Sequence, residues 1–157
     1  MIKVVGVDPG LAATGVAVVS GTGLLVETYS FGIIKTSSRS RLQDRLSFIY
    51  TKLTSILHTE KPDLMVVEDV FSLEKYPKSG IALGKVTGVI LLAGCHGNTP
   101  VMEISVREAK RVLTGSGAAG KQQLEESVRR RLNHPSTIKP YHASDALALA
   151  MIGLFRG

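Results

Sequence analysis

Two hydrophobic runs of this chain each end at a carboxylate. Residues 2–7 are mostly aliphatic and are followed by Asp8, and residues 64–67 are followed by Glu68. Short runs of β-branched and aliphatic residues predict buried strands, and polar side chains first leave the core where such strands end. In open α/β sheets, active sites form at that edge. Two carboxylates held together there repel each other unless a cation or shared protons lie between them, so the pattern predicts a hard metal ion.

The first part of the chain is predicted to form a meander of three strands followed by a helix. Pro9-Gly10 predicts a turn, after which residues 14–20 form a second, antiparallel strand and residues 24–34 a third. Between residues 40 and 58, apolar side chains recur at steps of three and four, which predicts a helix with one buried face. That helix is the crossover that a parallel strand ending at Glu68 requires.

The second part is predicted to alternate helices with one more strand. Residues 71–80 are polar and predict a loop beside Glu68, and the charge of Lys75 and Lys78 suits a polyanion. Apolar residues on more than one face of segment 81–95 predict a helix buried on several sides, a candidate subunit interface. The remaining predicted elements are a strand at 101–104, a basic helix starting near Ser105, a glycine-rich loop at 115–120, and helices at 121–132 and 143–155. The predicted fold class is α/β.

Length and composition predict a single basic domain covering residues 1–157. The 157 residues, 44% of them hydrophobic, are enough for one core, and the net charge of +6 favours a polyanionic partner. The single cysteine, Cys95, cannot form an internal disulfide, which favours a reducing compartment. No signal-peptide pattern or membrane-spanning apolar run is present in the sequence, so we expect a cytoplasmic protein with no membrane association.

His142 and Asp145 add candidate chemistry at the polar start of the last predicted helix. They are three residues apart and therefore share a helix face. Asp145 alone is equally compatible with a helix cap or a dipole partner. His142 is compatible with a surface residue, a metal ligand or a base that activates water. The functional interpretation gains weight from the combination with Asp8 and Glu68.

The segment from Gly115 to Lys121 has the glycine and lysine spacing of a P-loop. It carries Gln122 where a P-loop needs Ser or Thr to hold Mg²⁺, and the residues before it predict a basic helix instead of a buried strand. Nucleotide binding is therefore disfavoured. The same glycines can accept a DNA phosphate through backbone N–H groups. A backbone-contacting surface then includes the neighbouring cations, Arg107, Lys110, Arg111 and Lys121, for which a solvated helix face is the alternative.

Five segments in order make the chain resemble a known family along essentially its whole length. They are residues 6–10 with Thr14-Gly15, residues 67–71, Gly84-Lys85 with Gly88, residues 110–121, and residues 142–148. The chain is similar to the RuvC Holliday-junction resolvases of the RNase H-like superfamily, which includes retroviral integrases. The resemblance implies an RNase H-like fold with a five-stranded mixed sheet, three antiparallel strands and then two parallel ones, flanked by helices.

The resemblance also implies a site and a reaction. Asp8, Glu68, His142 and Asp145 would bind two Mg²⁺ ions and hydrolyse DNA, although some family members carry aspartate at the position of His142. Because oxygen ligands favour Mg²⁺ and an imidazole suits Mn²⁺, we expect Mn²⁺ to substitute. Phe71 would stack on a base at the junction centre, with core burial as the alternative. The implied partners are four-way junction DNA, a second copy of the chain in a homodimer, and the RuvA and RuvB branch-migration proteins.

Three other functions are alternatives to a junction-cleaving nuclease. Actin-like ATPases and sugar kinases also begin with a strand, an acid and a glycine turn, but they need two such domains, which do not fit in this length. A junction-binding protein without cleavage would use the basic surface while the acids serve only structure. A relative of the family could also cut other branched DNA or RNA hybrids. A cleavage assay on a four-way junction distinguishes the binding protein from a nuclease. Comparison with linear duplex and an RNA hybrid distinguishes the relative that cuts other substrates.

Overall fold

The structure is a computed structural model that describes residues 1–70 and 77–157, with side chains described outside residues 77–79. Its strands are β1 (Ile2–Asp8), β2 (Ala13–Thr22), β3 (Leu25–Lys35), β4 (Leu64–Glu68) and β5 (Val101–Ile104). Its helices are α1 (Leu42–Glu60), α2 (Pro77–His96), α3 (Val106–Thr114), α4 (Lys121–Leu132) and α5 (Tyr141–Arg156).

The five strands form one mixed sheet in the order β3-β2-β1-β4-β5. β1 is antiparallel to β2 and β2 to β3, whereas β4 is parallel to both β1 and β5. The predicted arrangement of three antiparallel strands followed by two parallel ones is confirmed. The register that pairs Val7 with Val67 places Asp8 and Glu68 side by side at the carboxyl ends of neighbouring strands.

Helices cover both faces of the sheet and create two cores. On one face α5 packs against β1 and β2, with α3 and α4 outside it. On the other face α1 and α2 pack together over residues such as Val5 and Val7. α5 packs so closely on β1 that residue 6 must be glycine, because a Cβ there would lie 2.0 Å from the carbonyl oxygen of Ala146. This close packing fixes the start of α5 relative to the end of β1.

The largest difference from the predicted elements concerns α2. The prediction of a loop is wrong for residues 77–80, because α2 already begins at Pro77. Proline is tolerated in the first turn of a helix, where its missing N–H would have no partner within the helix. Val86, Ile90 and Ala93 are buried against the core, whereas Ile81 and Leu92 are 62% and 47% exposed, so the helix is not buried on several sides within the chain.

The other helices start and end close to the predicted positions. Ser105 caps α3 by accepting a hydrogen bond from the backbone N–H of Glu108 at 3.2 Å. α4 spans the predicted residues, and α5 begins two residues earlier than predicted, which brings His142 into its first turn. Among the described residues, no helix is both long enough and apolar enough to cross a membrane. Cys95 is exposed near the end of α2.

Candidate active site

Asp8 is the most buried acid of the site and contacts His142 directly. It ends β1, where the antiparallel pairing with Gly15 of β2 also stops, and it is 4% exposed. The Nδ1 atom of His142 lies 2.7 Å from Oδ2 of Asp8. This hydrogen bond is the main reason why the pKa of His142 lies above its ordinary value of 6.5. The contact joins the first strand of the fold to its last helix.

Glu68 and Asp145 complete an acidic cluster around Asp8. Burial, a hydrogen bond with Asp8 and the charges of Asp8 and Asp145 raise the pKa of Glu68 far above its ordinary value of 4.5. Burial and the charge of Asp8 raise the pKa of Asp145 to about 6. Both shifts have the same two causes: burial disfavours the ionised form, and carboxylates that share a site repel each other's charge. The protein's own cations do not neutralise this concentration of negative charge.

One open cavity of about 580 Å³ unites these acids with the basic residues of α3 and α4. Its walls come from the ends of β1 and β4, from α2 and α3, from the loop before α4, and from the first turns of α4 and α5. The lining residues are Asp8, Pro9, Glu68, Val70, Leu83, Ser105, Val106, Arg107, Lys110, Gly117, Lys121, His142 and Asp145. Acidic and cationic side chains therefore line the same cavity, a combination expected where metal ions and a phosphate backbone are both bound.

Lys110 and Lys121 act electrostatically on the acids. The charge of Lys110 lowers the pKa values of Glu68 and Asp145, and that of Lys121 lowers those of Asp145 and His142, although the raising effects dominate at all three groups. α4 begins directly after Gly120, whose backbone N–H donates to the side-chain oxygen of Gln123 at 2.9 Å. This cap fixes the first turn of α4 and with it Lys121.

The structure brings together all four predicted acid-site residues and three of the predicted basic ones, Arg107, Lys110 and Lys121. Arg111 is exposed and does not line the cavity. Phe71, Lys75 and the side chain of Lys78 lie outside the described residues. Segment 115–120 follows helix α3, so it lacks the preceding strand of a P-loop.

Six other residues line the cavity that were not among the predicted site residues: Pro9, Val70, Leu83, Ser105, Val106 and Gly117. Three of these had a local signal, because Pro9 lies in the predicted turn, Ser105 suits a helix cap and Gly117 belongs to the glycine-rich segment 115–120. Val70, Leu83 and Val106 are ordinary apolar residues in the sequence, and their role as wall residues depends on tertiary packing.

The donor chemistry of the site fits divalent metal ions. Three carboxylates in one cavity are the oxygen ligands that Mg²⁺ prefers, and their raised pKa values reflect a negative charge that a divalent ion would neutralise. Within residues 1–70 and 77–157, no three or more His, Cys, Asp or Glu side chains already have the arrangement of a metal site. The site fits a divalent ion by the kind of its ligand atoms. Their present arrangement is set by the hydrogen bonds of His142 and Glu68 with Asp8.

Known proteins of one family match this chain over nearly its full length. The family model described as "Crossover junction endodeoxyribonuclease RuvC" matches residues 4–153. A protein with that name from Carboxydothermus hydrogenoformans is 36% identical over 155 residues, covering 99% of this chain and 97% of the relative. One from Mannheimia succiniciproducens is 38% identical over 152 residues, covering 96% of this chain and 74% of the relative.

A solved structure also matches the fold of this chain over nearly its full length. The structure described as "T. thermophilus RuvC in complex with Holliday junction substrate" has a TM-score of 0.92 and 28% sequence identity, covering 99% of this chain and 94% of that one. The predicted RNase H-like fold is confirmed. With the matching family model and full-length relatives above 30% identity, these findings establish that the chain belongs to the RuvC family.

Proposed function

We propose that this chain is a structure-specific endodeoxyribonuclease that resolves four-way (Holliday) DNA junctions by paired symmetric nicks. One observation carries the proposal: Asp8, Glu68, Asp145 and His142 share a cavity that Lys110 and Lys121 also line. Membership of the RuvC family supports it, as does the likeness to a relative solved with a Holliday junction substrate. We infer that residues 1–157 act as one nuclease domain.

The four acid-site residues would hold two Mg²⁺ ions, for which Mn²⁺ would substitute. When bound, such ions supply an activated water and neutralise charge on the leaving oxygen of the phosphodiester. Asp8 is suited to a shared position because it is the central and most buried acid. Glu68 and Asp145 flank it from β4 and α5 and would each complete one side of the site.

His142 would act through Nε2, as a metal ligand or by aligning water, because its Nδ1 is already engaged. Its Nδ1 already contacts the Asp8 carboxylate, which accepts the hydrogen bond. With Nδ1 protonated, a neutral imidazole has its lone pair on Nε2. The side chain is 43% exposed and lines the cavity, so in the neutral form that lone pair is available to a metal ion or to a proton from the attacking water. The raised pKa favours the protonated form, and bound cations would restore the neutral one.

The basic residues of the cavity would position the substrate without selecting its sequence. Arg107, Lys110 and Lys121 line the cavity, where they would contact phosphates close to the cleaved bond. We extend this role to the exposed Arg111 and to Lys75 and Lys78, and we propose that Phe71 stacks on a base. Lys110→Ala or Lys121→Ala should weaken DNA binding across sequences and make it less dependent on salt.

A homodimer would match the two-fold symmetry of the task. Two symmetric nicks require two identical sites, and an interface between identical surfaces places them on opposing strands. The exposed apolar side chains of α2, Ile81 and Leu92, make this helix our candidate interface. By family membership we also propose cooperation with the RuvA and RuvB branch-migration proteins.

The experiment that tests the proposal is cleavage of a synthetic four-way junction by the parent and by Glu68→Gln. We expect paired nicks from the parent with Mg²⁺ or Mn²⁺ and a loss of about 100-fold or more in the variant, because an amide cannot supply the carboxylate charge. Glu103→Gln, at an exposed carboxylate of neighbouring β5, is the matched control and should cleave like the parent. Equal cleavage by parent and Glu68→Gln would refute the catalytic assignment.

The same assay separates the alternative functions. A parent protein that binds the junction but never cleaves it with either ion would be a binding protein. Linear duplex and an RNA–DNA hybrid should be cut far more slowly than the junction. Equal or faster cleavage of either one would assign the chain to another substrate.

A further inference from the structure

A second basic surface lies at the end of β3 and along α1, the helix on the sheet face opposite α3 and α4. We call it the β3–α1 patch and define it by Lys35, Arg39, Arg41, Arg45, Phe48 and Lys52. Segment 35–45 holds four cationic side chains and one acid, Asp44, so it contributes half of the chain's net charge of +6. All the patch residues are exposed except Arg45, which is partly buried.

Local hydrogen bonds hold this patch in a defined shape. Nε of Arg45 donates to the Thr36 hydroxyl at 2.8 Å, and the backbone N–H of Arg39 donates to the Ser37 hydroxyl at 3.2 Å. Arg41 pairs with Asp44 at 2.9 Å. Within the described part of the chain, Lys35, Arg39 and Lys52 form no ion pair, so their charge is available to an external anion.

A backbone hydrogen bond joins the patch segment to the turn that follows β1, the strand that ends at Asp8. β3 runs in the same direction as β1, and its last residue, Lys35, pairs with Ala13 just as Asp8 pairs with Gly15. The backbone N–H of Thr36 donates to the carbonyl of Ala12 at 3.1 Å. β3 is two strands from β1, which corresponds to about 10 Å. The patch therefore borders the same sheet edge as the acids, on the β3 side.

An exposed aromatic ring adds a feature common on nucleic-acid surfaces. Phe48 is 44% exposed, and Nζ of Lys52 lies 5.5 Å from its ring centre. Arg41, Arg45, Phe48 and Lys52 recur at steps of four, three and four along α1 and therefore share one helix face. A cationic surface with an interleaved aromatic ring suits a DNA strand, because the cations contact phosphates and the ring contacts sugars or bases.

We propose that the β3–α1 patch binds the phosphate backbone of the substrate on the β3 side of the cleaved bond. This inference rests on the proposed nuclease function. The lysines of α3 and α4 would then hold the DNA on one side of the acids and the patch would hold it on the other. At about 3.4 Å per nucleotide along a strand, a distance of about 10–20 Å from Asp8 corresponds to roughly three to six nucleotides.

The test compares two double variants that remove the same charge. Arg39→Gln/Lys52→Gln removes two unpaired cations of the patch. Lys61→Gln/Arg131→Gln is the control: both residues are exposed, Lys61 follows the far end of α1, and Arg131 lies in the last turn of α4, away from Lys121. Binding to a labelled four-way junction without divalent metal is measured over a range of salt concentrations, with thermal unfolding as a check on folding.

We expect the patch variant to lose about two from the slope of log Kd against log salt and to bind about tenfold or more weakly near 0.1 M salt. The control should keep a slope within one of the parent's. With Mg²⁺ and protein below saturation, the control should cleave at the parent's rate and the patch variant more slowly, because it binds the junction more weakly. Single methylphosphonate substitutions in the junction should identify phosphates that matter to the parent and the control but not to the patch variant.

The outcomes distinguish this inference from the proposed function. If the parent cleaves junctions while the patch variant keeps the parent's affinity and slope, the patch does not bind DNA and the inference is wrong, although the nuclease assignment stands. The same applies if the control loses as much as the patch variant, since only net charge then matters. If the parent neither binds nor cleaves junctions, the proposed function fails and the inference fails with it.

Discussion

Gly15 of β2 faces His142 of α5 so closely that a Cβ on Gly15 would lie 1.9 Å from the His142 carbonyl oxygen. No side chain fits in that space, so the missing Cβ determines how near the first turn of α5 lies to the sheet. The same turn carries the imidazole that contacts Asp8. The geometry of the acid cluster thus depends on a residue that has no functional group.

Gly15→Ala should therefore displace the start of α5. We expect a loss of about 1–3 kcal/mol in the free energy of unfolding, typical of overpacking, together with slower junction cleavage. Urea denaturation and single-turnover cleavage measure the two effects. Gly32→Ala in β3 is the control, because a Cβ there meets nothing within 4 Å. Equal effects of the two substitutions would show that the contact with His142 is not what matters.

The acid cluster should make the metal-free protein less stable as the pH rises. The pKa of Asp145 is about 6 in the folded protein against 3.8 ordinarily, and that of Glu68 is also raised. Carboxyl groups with raised folded pKa values stabilise the fold below their ordinary pKa, and this contribution is lost as the pH rises through the folded value. The loss should begin near pH 4 and continue beyond pH 6.

Asp145→Asn tests this origin. In metal-free buffer at pH 7.5 the variant should have a higher Tm than the parent, and at pH 4 the difference should vanish because Asp145 is protonated in the folded parent. Glu27→Gln, at an exposed carboxylate of β3, should not reproduce the pattern. Added Mg²⁺ should raise the Tm of the parent at pH 7.5 more than that of Asp145→Asn. A Tm difference that is independent of pH would contradict the charge explanation.

The identity of the metal should depend on His142. An imidazole in the site makes Mn²⁺ at least as acceptable as Mg²⁺, so the parent should cleave at least as fast with Mn²⁺. His142→Ala should slow cleavage by about 100-fold if the imidazole accepts a proton from water. His58→Ala, in the last turn of α1, serves as the control. Faster cleavage with Mg²⁺ than with Mn²⁺, unchanged in His142→Ala, would remove His142 from the mechanism.

A buried ion pair on α4 should stabilise the loop that leads into α5. Glu125 is 2% exposed and accepts hydrogen bonds from Nε of Arg129 at 3.0 Å and from the backbone N–H of Ile138 at 3.1 Å. Glu125→Ala leaves both donors without this partner, and we expect a loss of about 1–3 kcal/mol in urea denaturation. Glu126→Ala should cost less than about 1 kcal/mol, because its partner Arg130 is 3.9 Å away and 81% exposed.

Local patterns were sufficient to predict the strand ends at Asp8 and Glu68. A central strand covered on both faces must be continuously apolar, so its end is visible as the first acid. Position 77 was harder, because proline marks loops and first helical turns alike. The exposure of Ile81 was also not predictable, because an apolar residue is expected to be buried when only a single chain is considered. An apolar side chain outside the core has no local pattern that distinguishes it from one inside.

The joint site of acids and lysines was beyond local prediction for a different reason. The sequence predicted a phosphate-contacting surface at Lys110 and Lys121 but not that both would line the same cavity as Asp8. Their position depends on how α3 and α4 pack against α5, which is a relation between distant segments. The β3–α1 patch was missed similarly, since its cations appeared only as the polar positions of an amphipathic helix.

The contact between Asp8 and His142 joins residues 134 positions apart, which has a consequence for synthesis. A ribosome makes β1 and β4 long before α5, so an emerging chain already carries Asp8 and Glu68 but lacks His142 and Asp145. The cluster closes only when α5 has left the exit tunnel and packed onto Gly6 and Gly15. A nascent or prematurely terminated chain would therefore expose basic surfaces to DNA without the means to cut it, and translation itself would delay nuclease activity until folding is complete.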